Sequence, residues 1–111
     1  MIWASSASAR GPVGRPTGQI GDDARDAFLQ HLRAGVADAA ACDGEFVIDL
    51  AGVDHLSAAA LMALTIARKE AISSNVKIVL ARPRPAIREV LEISRYQLIF
   101  DIRDDLDSDD R

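Results

Sequence analysis

The chain has 111 residues, about half of them apolar and only five aromatic, which suits one domain built around an aliphatic core. No apolar run approaches the ~20 residues a membrane span needs, the start MIWASSASARGPVGRPTG lacks the basic-then-apolar order of a signal peptide, and a single cysteine excludes an internal disulfide. The net charge of −4 sits entirely from Asp101 onward, where six Asp meet two Arg, so residues 1–100 balance eleven acids against eleven bases and offer no clustered basic face for nucleic acid.

In chain order, Gly11, Pro12, Gly14, Pro16 and Gly18 punctuate the first twenty residues, so strands there are expected to be short, near 2–8 and 12–16, and close to a sheet edge. From Asp22 the pattern turns helical. Asp22 and Asp23 favour a helix start. Phe28, Leu32 and Val36 then recur every fourth residue, flanked by Ala24 and Leu29, and give one apolar face over 22–39. His31 lies off that stripe, with no metal-ligating neighbours, and reads as a solvated helix residue. Cys42 reads as a small packing residue between two elements in a reducing compartment such as the cytoplasm.

Three short apolar runs follow: E-F-V-I-D-L-A at 45–51, V-K-I-V-L-A at 76–81 and Q-L-I-F-D-I at 97–102. Helix-length segments at about 57–74 and 85–94 separate them, which implies parallel pairing through crossovers. Pro85 suits a first helical position, and Ile87, Val90, Leu91 and Ile93 supply the inner face of the last helix. The fold class is therefore α/β, with a mixed β-sheet, mainly parallel, if the glycine-rich start adds a short antiparallel N-terminal edge. Trp3 and the first strand leave an exposed edge through which a homodimer is possible.

The helix at 57–74 carries the most information. Ser57 is placed as its N-cap, and Ala58, Ala59 and Ala60 make a first turn with almost no side chain. That leaves the helix N-terminus, with roughly half a positive charge, open to something outside. Leu61, Leu64, Ala67, Ala71 and Ile72 follow 3.6-residue spacing toward the sheet, while Met62 and Ile66 fall on another side with Ala58, Ala59 and Ala63. Polar residues return on that side only at Arg68, Lys69 and Glu70. A surface helix apolar all round for two to three turns is either covered by another segment or meets a partner. Ser57, Ala58, Ala59, Met62 and Ile66 are the expected partner-binding residues.

Catalytic patterns are missing. There is no phosphate-binding glycine motif, no G-x-G-x-x-G, no paired-histidine spacing for a metal and no C-x-x-C. His55 with Ser57 is a weak nucleophile signal. No enzyme activity, cofactor or metal is expected.

The series F-V-I-D-L-A-G-V-D, a turn with Ser, L-M-A-L, V-K-I-V-L-A-R-P-R-P-A-I-R-E-V-L-E-I-S and L-I-F-D-I resembles the STAS domain, and more narrowly the bacterial anti-sigma factor antagonists. The resemblance spans roughly residues 18–103, with REVLEIS…LIF the most characteristic stretch. It implies a mixed sheet with helices packed on one side. Chain length and charge distribution in turn give a single domain over 1–103 and an acidic tail at 104–111 that is expected to fray into solvent.

Functionally, the resemblance implies a cytoplasmic protein-binding switch in transcription regulation. Such domains bind the ATP-dependent serine kinase that holds a sigma factor and so release that factor, and phosphorylation of a serine at the start of the helix breaks the complex. The family's D-S-S/T-G or S-S-A-G stretch falls on Ser57-Ala58-Ala59-Ala60, and its phosphoacceptor position falls on Ala58, which has no hydroxyl. Ser57 is the one displaced candidate acceptor. The implied partner is an anti-sigma serine kinase or a related ATPase, with neither nucleic acid nor direct membrane insertion expected. Two other readings stand beside this one: a STAS subunit on the ATPase of a lipid-trafficking ABC transporter, and a nucleotide-binding or enzymatic domain.

Overall fold

The computed structural model describes residues 1–104. Seven residues with no charge and no proline, Ile2–Ser8, form β1, which turns back into β2 (Gly11–Ile20). The two pair antiparallel from Ile2 opposite Thr17 to Ser8 opposite Gly11. A 3-10 turn at Asp22–Ala24 leads into α1 (Arg25–Ala41). Then come β3 (Phe46–Asp49), β4 (Val53–Leu56), α2 (Ala58–Ser73), β5 (Ile78–Ala81), α3 (Pro85–Ile93), a 3-10 turn at Tyr96–Leu98 and β6 (Asp101–Arg103).

The sheet runs β1-β2-β3-β5-β6, with β4 paired to the last residues of β2. Among the described residues only β1 and β2 are antiparallel; β2–β3, β3–β5 and β5–β6 are parallel, as is β2–β4. The fold is therefore the mixed, mainly parallel α/β sheet expected from the sequence. The second strand is longer than the expected 12–16. Pro12 and Pro16 are four apart, so both missing donors fall on one edge of the strand and the other edge keeps its ladder.

Alternation along the strands separates two faces. Phe46, Ile48, Ile78, Leu80 and Ile20 join Phe28, Leu32, Val36, Leu64, Ile87 and Leu91 from the three helices in one buried core. Val13, Val47, Val79 and Ala81 point the other way and form a small second cluster without any helix residue. All three helices thus lie on one side.

Two close approaches fix how α1 and the hairpin sit on the sheet. Gly35 of α1 lies against the Phe46 ring, where an added Cβ would come within 2.2 Å of Cζ. Gly35→Ala is therefore expected to destabilise the fold by about 1–3 kcal/mol through overpacking. That is opposite in sign to the ~1 kcal/mol that Gly→Ala gains in an open helix, and denaturant midpoints of the two proteins check it. Gly14 of β2 gives the Trp3 ring its seat, since a Cβ there would meet Cζ2 at 2.3 Å. Trp3 stacks on His31 of α1, with centroids 4.7 Å apart and planes 3° apart, and tilts against Phe28 and Phe46. His31 is a solvent-facing helix residue as expected, with one side covered by indole.

The bare outer face of the sheet is braced by ions. Asp49, only 3 % exposed, accepts from Arg15 Nε, from Arg82 Nε and Nη2, and from the Ala51 N–H. Burial pushes its carboxyl up, but the Arg82 and Ala51 hydrogen bonds, with Arg15, outweigh that and hold it below the ordinary aspartate value. On the edge strand β6 Arg103 pairs with Glu45 and Asp101, and Lys77 pairs with Asp101.

Several expectations are corrected. The run at 97–102 is not one strand: residues 96–98 form a 3-10 turn after Arg95 adopts a left-handed conformation (φ 62°), and only Asp101–Arg103 pairs with β5. Strand β4 was not expected, because Asp54 and His55 interrupt its apolar pattern; its ends, Val53 and Leu56, are the buried residues. Ile93 and Ile72 face solvent at 76 % and 59 % exposure instead of the core. Ala63, expected outside, is fully buried. Cys42 is exposed just past the end of α1 rather than packed between elements. Apart from Asp104, which pairs with Arg88, the acidic tail lies outside the described residues.

Candidate functional site

The sheet launches α2 from a defined point. The Ser57 N–H donates to the Ile20 carbonyl at the end of β2 (3.0 Å), so the helix start is anchored to both β2 and β4. Ser57 has extended backbone angles, and its Oγ accepts from the Ala60 N–H (3.1 Å), which is N-cap geometry. Among the described residues no hydrogen bond joins it to His55, which stands exposed on β4. Ser57→Ala is expected to cost about 1 kcal/mol through loss of the cap, read as a lower thermal midpoint with unchanged far-ultraviolet circular dichroism.

Along α2, Ala60, Ala63, Leu64, Ala67 and Ala71 face the core. The opposite stripe carries Ala58, Met62, Thr65, Lys69 and Ile72, all exposed, with Met62 at 55 %. Ala59 and Ile66 sit on the shoulder toward α1 and are half-buried. Below them Glu70 receives a two-pronged hydrogen bond from Arg33 of α1 (2.9 and 2.8 Å). Helix α1 therefore covers the flank of α2 at Ala63 but leaves Ala58 and Met62 open. Of the expected partner-binding residues, Ser57, Ala58, Ala59 and Met62 share the first turns of the helix, and Ile66 stands one turn on and more covered.

The other shoulder of α2 holds a feature that the sequence alone did not reveal. The Tyr96 hydroxyl donates to the Leu61 carbonyl (2.9 Å) and lies 2.7 Å from the Thr65 hydroxyl. Arg68 Nε donates to the Ile99 carbonyl (2.9 Å). These bonds clamp the turn at 96–99 onto α2 and hold Leu98, 70 % exposed, and Ile99 beside the same helix. The only sequence signal was the polar break S-R-Y-Q ahead of the apolar L-I-F.

A second clamp closes the loops at the carboxyl ends of the strands. Arg84, the residue before α3, donates through Nε to the Ala51 carbonyl (2.8 Å) and pairs with Asp54 of β4. The site offers an apolar helix turn within a rigid frame. Among the described residues no group of three metal-ligating side chains occurs.

The chain belongs to the STAS domain family, whose model matches residues 15–108. Among solved structures it is similar to a Thermotoga maritima protein proposed to be an anti-sigma factor antagonist, at 16 % identity and a TM-score of 0.77, covering 94 % of this chain and 87 % of that one. It is also similar to the anti-sigma factor antagonist SpoIIAA in its unphosphorylated form, at 14 % identity and a TM-score of 0.62 over 91 % of this chain and 86 % of that one. The Bacillus cell fate determinant SpoIIAA in its phosphorylated form gives 14 % identity and a TM-score of 0.61 over 91 % and 90 %. At these identities the likeness is one of fold. No curated protein sequence matches the chain.

Proposed function

We propose that this chain is a non-enzymatic, cytoplasmic protein-interaction module of the anti-sigma factor antagonist type, and that it docks through Ser57, Ala58, Ala59, Met62 and Ile66. The partner is an ATP-dependent anti-sigma serine kinase or a related ATPase, and binding releases a sigma factor. The observation that carries the reading is the exposure of Met62 above an all-alanine first turn, on a helix whose start is pinned to two strands. Burial of such a side chain against a partner contributes about 1.5–3 kcal/mol. STAS membership and the fold shared with SpoIIAA support the partner class.

The module lacks the family's switch. A phosphoryl group would bring roughly −1.5 to −2 charge into an apolar contact and break it, but Ala58 has no hydroxyl to accept one. Ser57 Oγ is engaged as the helix cap. Incubation with purified anti-sigma kinases from the same genome and radiolabelled ATP tests both parts. The expected result is complex formation with one kinase and no phosphate transfer. Phosphate at Ser57 overturns the unswitched reading, and failure to bind any of these kinases overturns the partner class.

A further inference from the structure

We propose that the outer edge of β1 pairs antiparallel with the same edge of a second copy of this chain, about a two-fold axis at Ser5. Strand β1 ends the sheet order, and no described residue pairs with its far side. Such edges are ordinarily protected by lysine, proline, a bulge or a covering element. Here Ile2–Ser8 reads I-W-A-S-S-A-S, without charge or proline, and keeps an unbroken register over seven residues with β2.

The edge is complementary to itself. With Ser5 on the axis, Ala4 faces Ser6, Trp3 faces Ala7 and Ile2 faces Ser8, so every bulky residue meets a small one and no like charges oppose. An isologous contact needs this self-matching, and it closes at two copies. An acidic or basic peptide would find nothing on the strand to match its charge.

The surroundings leave room for the second copy. On the helix side, Ser5 and Ala7 border an open groove of about 1210 Å³ that runs between the hairpin and Asp38 and Cys42 at the end of α1. In the proposed register, the second copy's Trp3, stacked on its own His31, stands next to Ala7 at the mouth of that groove. Trp3 is held by Gly14, Phe28, His31 and Phe46 within its own chain, and β1 is already paired along its length with β2, so little ordering is required on pairing. The pairing uses β2 only through residues 11–17, short of the Gly18–Ile20 segment that carries β4. The proposal does not depend on the docking function of α2.

Sedimentation velocity from about 1 µM to about 1 mM is expected to show the average mass rising toward twice the monomer value. Ser5→Lys places two ammonium groups across the axis and is expected to weaken the dimer at least about tenfold, with partial recovery in 1 M salt, where the screening length is about 3 Å. Salt recovery separates charge repulsion from misfolding, and Ser5 is exposed, so the monomer's melting should not change. In a Cys42→Ser background, Ser5→Cys is expected to form a disulfide-linked dimer on oxidation, while Ala7→Cys, whose thiols lie far from each other in this register, does not. A monomer at every concentration overturns the proposal. So does a dimer that Ser5→Lys leaves intact, or equal cross-linking at both cysteine positions.

Discussion

Met62→Asp is expected to weaken partner binding by more than about 100-fold, or about 2.7 kcal/mol, while leaving the stability of the chain within about 0.5 kcal/mol of the starting protein. Met62 is more than half exposed and makes no part of the buried core, so the fold loses nothing when it changes. In a complex the same position would close over a thioether, and a carboxylate there loses the burial and must also shed its water without a partner. Met62→Ala removes the burial alone and should cost about tenfold, or about 1.4 kcal/mol. Ile72→Asp serves as the contrast, because it lies on the same stripe nearly three turns further along, is equally exposed and falls outside the proposed surface. Titration calorimetry with the kinase partner reads all three. Normal binding by Met62→Asp, or equal loss in Ile72→Asp, moves the docking surface elsewhere.

What made this surface legible in the sequence was local. Helical spacing put Met62 and Ala58 together, and the cap at Ser57 followed from one residue in front of three alanines. The strands at 46–49 and 78–81 were visible for the same reason, since short β-branched runs buried on both faces stand out against their flanks. Errors came where a distant segment decided the outcome. Ala63 is buried, against its helical pattern, because α1, some thirty residues earlier, packs over that flank, and Arg33 with Glu70 marks the seam. Ile72 faces solvent because it follows the buried Ala71 by one residue, and that single helical step carries it from the core face to the outer stripe. The turn at 96–99 looked like strand because its apolar residues are exposed rather than buried, and composition does not distinguish the two. Its clamp, Tyr96 onto Leu61 and Thr65, joins positions more than thirty residues apart. The Asp49 cluster had one local signal, an acid inside the apolar run F-V-I-D-L, but its partners Arg15 and Arg82 lie 34 and 33 residues away on either side.

That cluster gives the largest expected effect on stability. Asp49→Ala is expected to lower unfolding free energy by about 2–3 kcal/mol. It removes the acceptor of four hydrogen bonds and leaves the Ala51 N–H without its partner. The loss stays below that of a fully buried pair because Arg15 and Arg82 are each more than a third exposed and recover water. Arg82 also holds a left-handed backbone conformation (φ 54°), and the carboxylate is what fastens its side chain to the sheet face. The pH dependence has a definite sign. The folded Asp49 carboxyl sits below its unfolded value of about 3.9, so the unfolded chain binds the proton first as pH falls. Its contribution is therefore fully present above that value and is lost as pH drops toward the depressed folded one. Asp101 is depressed as well, since Lys77 and Arg103 outweigh the effect of its burial, and it adds to the same trend in both proteins. The stability gap between Asp49→Ala and the starting protein should thus be constant near neutrality and shrink below about pH 4. Parallel stability curves down to the acid transition would mean that the Asp49 carboxylate does not hold the outer face together.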